Sequence, residues 1–172
     1  MNLDLLLFYI AGGAAIVATA MAITRLNAAH ALLYLITSLL AVAVVLYLMG
    51  AAFAAALEVI IYAGAIMVLF IFVIMMLNLG EQTVEQERQW LDWHLWIGPS
   101  IICIILFGEV LTLLIGQERS AGMRAVSAKD VGATLFGPYL LAVELASMLL
   151  LAGLVGAYHL ARGDRKPPKD KQ

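Results

Sequence analysis

Charge is what this sequence has least of. Lys, Arg, Asp and Glu supply only 13% of its 172 residues, hydrophobic residues supply 64%, and the mean hydropathy is +0.99. A soluble domain of this length needs far more polar surface, so the composition points to an integral membrane protein. The net charge is −2 and no basic stripe is present, which gives nucleic acid nothing to bind. Cysteine is almost as scarce. The single one, Cys103, lies in an apolar run; it can form no internal disulfide and no CxxC metal pair, and reads as a small core residue. No P-loop, no dinucleotide fingerprint, no His/Cys/Asp cluster at metal spacing and no internal repeat appears, and every connector is too short to hold a nucleotide-binding domain. Whatever the chain does takes place inside the membrane and with other chains.

What the sequence has is five apolar segments, about 3–23, 28–49, 52–79, 95–116 and 134–160. Each is close to the roughly 20 residues that a spanning helix needs, and none alternates as a strand would. The fold class expected is therefore all-α and integral to the membrane, with five transmembrane helices. The N-terminal "MNLDLLLFYIAGGAAIVATAMAI" lacks the basic start of a signal peptide and carries Asp4 instead, so it reads as a retained first helix. Residues 1–161 form the expected membrane domain. Residues 162–172 form a basic tail whose prolines and charges suit a disordered end.

Lys and Arg set the orientation. With the N-terminus outside, the inner side holds Arg25, Arg88, Arg162, Arg165, Lys166, Lys169 and Lys171, whereas the outer side holds Arg119, Arg124 and Lys129. The bias favours a periplasmic N-terminus and a cytoplasmic C-terminus. Trp90, Trp93 and Trp96, three apart, read as an interfacial anchor at the entry to the fourth segment. Ser127 and Asp130 match a capping box ahead of the fifth apolar run.

Three carboxylates fall within apolar segments: Glu58, Glu109 and Glu144. A charged acid at mid-membrane costs on the order of 3 kcal/mol. Burial favours the protonated form, and a carboxyl that can be neutral or charged suits proton transfer. Glu58 lies roughly 8 Å inside its helix at 1.5 Å per residue, within reach of the headgroups. Glu109 and Glu144 can instead tie neighbouring helices by hydrogen bonds, with Ser147 a partner for Glu144.

In "LEVIIYAGAIMVLFIFVIMMLNLG", Glu58 and Tyr62 are spaced to share a helical face, and Tyr62 can donate or accept a hydrogen bond. Gly64, between Ala63 and Ala65, loosens the helix. "AGA" is either a close-packing point, which periodicity alone favours, or a place where backbone bonding changes.

These residues carry a family resemblance. "EVIIYAGAIMVLF", within His30 to Gly80, resembles subunit J of bacterial respiratory NADH–quinone oxidoreductase (complex I), whose mitochondrial counterpart is NADH dehydrogenase subunit 6. "EQERQW", "WIGP" and "SAKDVGATLFGPYLLAVELASMLLLAGLVGAYH" extend the likeness over nearly the whole chain. One departure is "NAAH" at Asn27 to His30, where the family usually has proline after the Asn. The resemblance implies five transmembrane helices in the bacterial inner membrane. It implies no redox cofactor in this chain; FMN, iron–sulfur clusters and the quinone site belong to partner subunits. It implies packing beside membrane subunits A, H, K and N, with lipid around them. The equivalent subunit of a cation/proton antiporter or membrane-bound hydrogenase, and a passive assembly scaffold, are the alternatives.

The resemblance also implies a π-bulge near "YAGAIM" in some states of the complex, whose conversion to α-helix accompanies a water path toward subunit K. One extra residue in a turn rotates everything beyond it by about 100°. Phe70 then moves from about 120° round from Glu58 to about 20°. On this reading Tyr62, Gly64, Ala65, Met67, Val68 and Phe70 form a gate, Glu58 is an accessory proton group, and Glu109 and Glu144 are secondary candidates.

Overall fold

A computed structural model describes residues 3–77, 93–115 and 126–162, and all the regular structure among them is helical. Five helices are long and apolar enough to cross a membrane: Leu3–Thr24, Ala28–Leu48, Ala52–Met76, Trp96–Ile115 and Leu140–Ala161. The chain is thus a multi-pass, all-helical membrane protein. It divides into two compact units, Met1–Ser127 and Ala128–Gln172.

In the first unit, α1 (Leu3–Thr24) and α2 (Ala28–Leu48) form an antiparallel hairpin with the most extensive helix contact in the chain. Small residues make that possible. Ala11 and Ala18 on α1 and Ala41 on α2 are completely buried, so the backbones approach closely, as helices in lipid do where side chains are short. A polar clasp crosses the same seam. The Thr19 and Ser38 hydroxyls lie 2.7 Å apart, and Ser38 Oγ also donates to the Ala15 carbonyl at 3.2 Å. The turn into α2 keeps its cap despite the missing proline, because Asn27 Oδ1 accepts from the Ala29 amide at 2.9 Å.

The connection from α2 to the third span closes as a Schellman turn. Gly50 N–H donates to Tyr47 O at 2.9 Å and Ala51 N–H to Leu46 O at 3.0 Å. Gly50 has φ 83°, a left-handed conformation that favours glycine. The third span then runs as α3 (Ala52–Leu57), a π-helical segment (Glu58–Ile66) and α4 (Met67–Leu77). The fourth span lies in α5 (Trp93–Ile115). Leu106 of α5 joins Leu7, Ala11, Ala41, Val44 and Leu48 in the core, with Ile102 and Leu113 against it.

The "WIGP" motif acquires a structural reason here. A Cβ on Gly98 would run into Tyr34 Oη, so Gly98 is the notch that seats the Tyr34 phenol of α2. Tyr34 is buried, and Arg25 stacks over its ring at 5.2 Å.

The second unit holds α6 (Ala128–Leu135) and α7 (Leu140–Ala161). The fifth membrane helix therefore begins at Leu140, not at 134. The apolar run is broken at Gly137-Pro138: proline supplies no amide hydrogen and disfavours α geometry in the residue before it. Ser127 stands ahead of α6, so the capping signal opens this short helix and not the span. Positions 78, 79 and 116, Trp90 and the tail from 163 lie outside the described residues. Trp96 is exposed at the start of the fourth span, as an interfacial anchor requires. Cys103, expected in the core, is exposed: its face of α5 borders a groove, described below.

The Gly98–Tyr34 notch yields a prediction. Gly98→Ala overpacks the seam and is expected to destabilise the assembled protein by about 1–3 kcal/mol. Because the phenol oxygen is the nearest obstacle, the same change in a Tyr34→Phe background should cost less than half as much. Thermal unfolding of the single and double variants measures both.

Candidate functional site: the π-helical segment of the third span

The backbone changes register within the third span. At its start Glu58 N–H still reaches Ala54 O, four residues back. At its end Met67 N–H reaches Tyr62 O, five residues back. Between them nine residues, Glu58–Ile66, are wound as π-helix, longer than the single-turn bulge that usually interrupts an α-helix. The expected irregularity is present, and it begins four residues before "YAGAIM", at Glu58 itself.

Gly64 sits within this register. A Cβ there would stand 3.1 Å from the Val59 carbonyl oxygen, five residues earlier. No described atom of another helix comes within 4 Å of that Cβ position. Within the described chain, the missing side chain at Gly64 makes room for the helix's own carbonyl, which favours the account of "AGA" as a place where backbone bonding changes. Val59, whose carbonyl defines the site, was not singled out from sequence. Its spacing of five from Gly64 is the signal that would have found it.

The side chains proposed for a gate do not share one surface. Met67 is buried at 7% exposure on the part of the span that packs on α2, whereas Tyr62, Val68 and Phe70 are half exposed or more. Ala65 is exposed, and Glu58 and Gly64 are intermediate. The π-segment thus holds Met67 inward and Phe70 outward in this state.

The three acids also part company. Glu109 is 4% exposed on the core face of α5, and neither carboxylate oxygen has a hydrogen-bond partner. Glu144 is exposed. Ser147, expected as its side-chain partner, donates instead to the Glu144 backbone carbonyl at 2.8 Å, the usual local bond of a helical serine. Among the described residues no group of three His, Cys, Asp or Glu is placed to hold a metal.

A groove of about 510 Å³ separates the third span from α5, floored by α2. Ala52, Ala55, Ala56 and Val59 line one wall, and Cys103, Leu106, Val110, Leu113 and Leu114 the other. Its lining is almost wholly apolar, so it suits hydrocarbon or an apolar helix better than water.

Five apolar spans, the third with a long π-segment between an acid and a buried methionine, define the class: a multi-pass helical membrane protein. The particular family follows from similarity. Residues 18–160 match the family described as NADH-ubiquinone/plastoquinone oxidoreductase chain 6. The chain is 58% identical over 161 residues to NADH-quinone oxidoreductase subunit J of Pseudomonas aeruginosa, covering 92% of this chain and 97% of that one. It is 58% identical over 159 residues to the subunit J of Escherichia coli K12, covering 92% and 86%. At 39% identity over 157 residues it also matches the subunit J of Buchnera aphidicola from Baizongia pistaciae, covering 90% and 96%. The chain belongs to the subunit J family of NADH-quinone oxidoreductase.

Gly64→Ala tests the register. Alanine is about 1 kcal/mol better than glycine inside an α-helix, and its Cβ crowds Val59 O only in the π form. Both effects push toward α. The α-registered fraction of the third span, counted in maps of the assembled complex, is expected to rise about fivefold at least.

Proposed function

We propose that this chain is a membrane subunit of a proton-translocating NADH–quinone oxidoreductase, and that its third span gates a water and proton path between quinone reduction and the pumping subunits. One observation carries the reading: the nine-residue π-segment from Glu58 to Ile66, with Gly64 inside it against the Val59 carbonyl and Met67 just beyond it. Loss of one residue of π-winding turns α4 by about 100° relative to α3. Met67 then leaves its buried seat, and the surface near Glu58 is exchanged. Bulky apolar side chains break a file of water and their withdrawal lets it form. Glu58 and Tyr62 are the polar groups at that level, Tyr62 as part of the gate and Glu58 as an accessory proton group.

In this proposal the chain itself catalyses no redox step. FMN, iron–sulfur clusters and quinone are bound by partner subunits, and the enzyme is a translocase. The exposed apolar faces meet subunits A, H, K and N and the lipid of the bacterial inner membrane. The N-terminus is periplasmic and the C-terminus cytoplasmic, following the Lys and Arg bias. Near full-length identity to named subunit J proteins favours this assembly over an antiporter or hydrogenase.

A scaffold role predicts different behaviour. Gly64→Val adds a β-branched side chain against Val59 O and is expected to leave complex abundance within twofold of normal. Protons pumped per NADH oxidised are expected to fall by at least half. Full pumping with full NADH oxidation in this variant excludes the gate; loss of the complex with normal coupling of the remainder supports the scaffold.

A further inference from the structure

Of Glu58, Glu109 and Glu144, Glu109 is the one that the described helices enclose. It lies on α5 in a stripe with Ile102, Leu106 and Leu113, spaced three and four apart and therefore on one face. That stripe packs on Leu7, Ala11, Ala41, Val44 and Leu48 of the α1–α2 hairpin. Glu109 is 96% buried there, and both of its carboxylate oxygens lack a hydrogen-bond partner. The Thr112 hydroxyl, one turn on, donates to the Glu109 backbone carbonyl at 2.7 Å and leaves the carboxyl alone.

Among the described residues, the helices packed on α5 place no counter-charge against the Glu109 carboxyl. The titratable groups of α1 are Asp4, a half-buried acid, and Tyr9, which is 68% exposed. Those of α2 are Tyr47, on the groove, and Tyr34 and His30 toward the helix start, where Tyr34 is seated at Gly98. Arg25, before α2, lies over Tyr34. None of them bonds Glu109. Across the groove the nearest acid by depth is Glu58. Glu58 stands six residues from the Ala52 end of its span and Glu109 six from the Ile115 end of its own, so each is about 9 Å inside the same surface. The groove walls beside them, Val59 and Val110, face each other.

An ionised carboxylate buried with no protein donor or cation against it is expensive in a membrane interior; the neutral acid avoids most of that cost. We propose that Glu109 is a proton-binding site, an exchangeable carboxylic acid carried in the α1–α2–α5 seam at the depth of Glu58 and distinct from the π-helical gate. Its ligand is a single proton, and its binding group is the carboxyl alone. The inference does not rest on gating, because an acid in this seam holds its proton whether or not the third span turns.

The test uses the assembled complex with Glu109→Gln, which reproduces the shape and neutrality of the acid. Abundance is expected within twofold of wild type. The wild-type minus variant infrared difference is expected to lose one carboxylic-acid C=O band, and that band shifts in D₂O. Three results overturn the proposal: a lost carboxylate pair in place of the acid band, an acid band indifferent to D₂O, or failure of Glu109→Gln to assemble, since that would mean the charge itself is needed.

Discussion

A backbone amide in hydrocarbon has no water to turn to, and the rest of this structure depends on that constraint. It forces the spans to be helices and decides how one of them can be irregular. The third span does not break to change direction. It exchanges bonds that reach back four residues for bonds that reach back five, so its ladder stays occupied while its side chains are re-aimed. A conventional kink would leave bare carbonyls facing lipid. A change of register keeps that loss small, because the amides on both sides of it still find acceptors.

The interactions around that span are graded in stiffness. The α1–α2 hairpin is the rigid body, held by buried alanines and the Thr19–Ser38 clasp, and α5 is keyed to it by Tyr34 in the Gly98 notch. The third span meets this body through α2, with an apolar groove where contact with α5 would otherwise be. A helix free on one flank has room to rotate; one wedged on both flanks has not. In the proposed gate the groove and the π-segment are complementary, the first supplying space and the second the means of turning.

Much of this was legible in the sequence, for a physical reason. Long apolar runs report spans directly, because only helices can cross lipid. The break at Gly137-Pro138 was equally visible but hidden within a continuous apolar run, so hydropathy outweighed a local signal that sterics made decisive. Three-dimensional neighbours were not legible. Glu109 and Glu144 look alike as acids among leucines, yet Glu109 lies on a packed face of α5 and Glu144 on a helix whose residues are exposed nearly all round, a difference that only the packing partners decide. Gly64 illustrates a subtler limit. Its small neighbours suggested contact with another helix, whereas its nearest obstacle is Val59 of its own turn, a relation visible only once a five-residue register is considered.

The Schellman turn at Gly50 has a mechanical consequence. Its two amide bonds to Tyr47 and Leu46 lock the beginning of the third span to the end of α2, and Val126 N–H adds a further tie to the Gly50 carbonyl at 3.0 Å. A shaft clamped at one end cannot share a twist between its halves. In the proposed change of register, the turn is therefore delivered to the half from Met67 onward, and the clamped half with Glu58 serves as the stator.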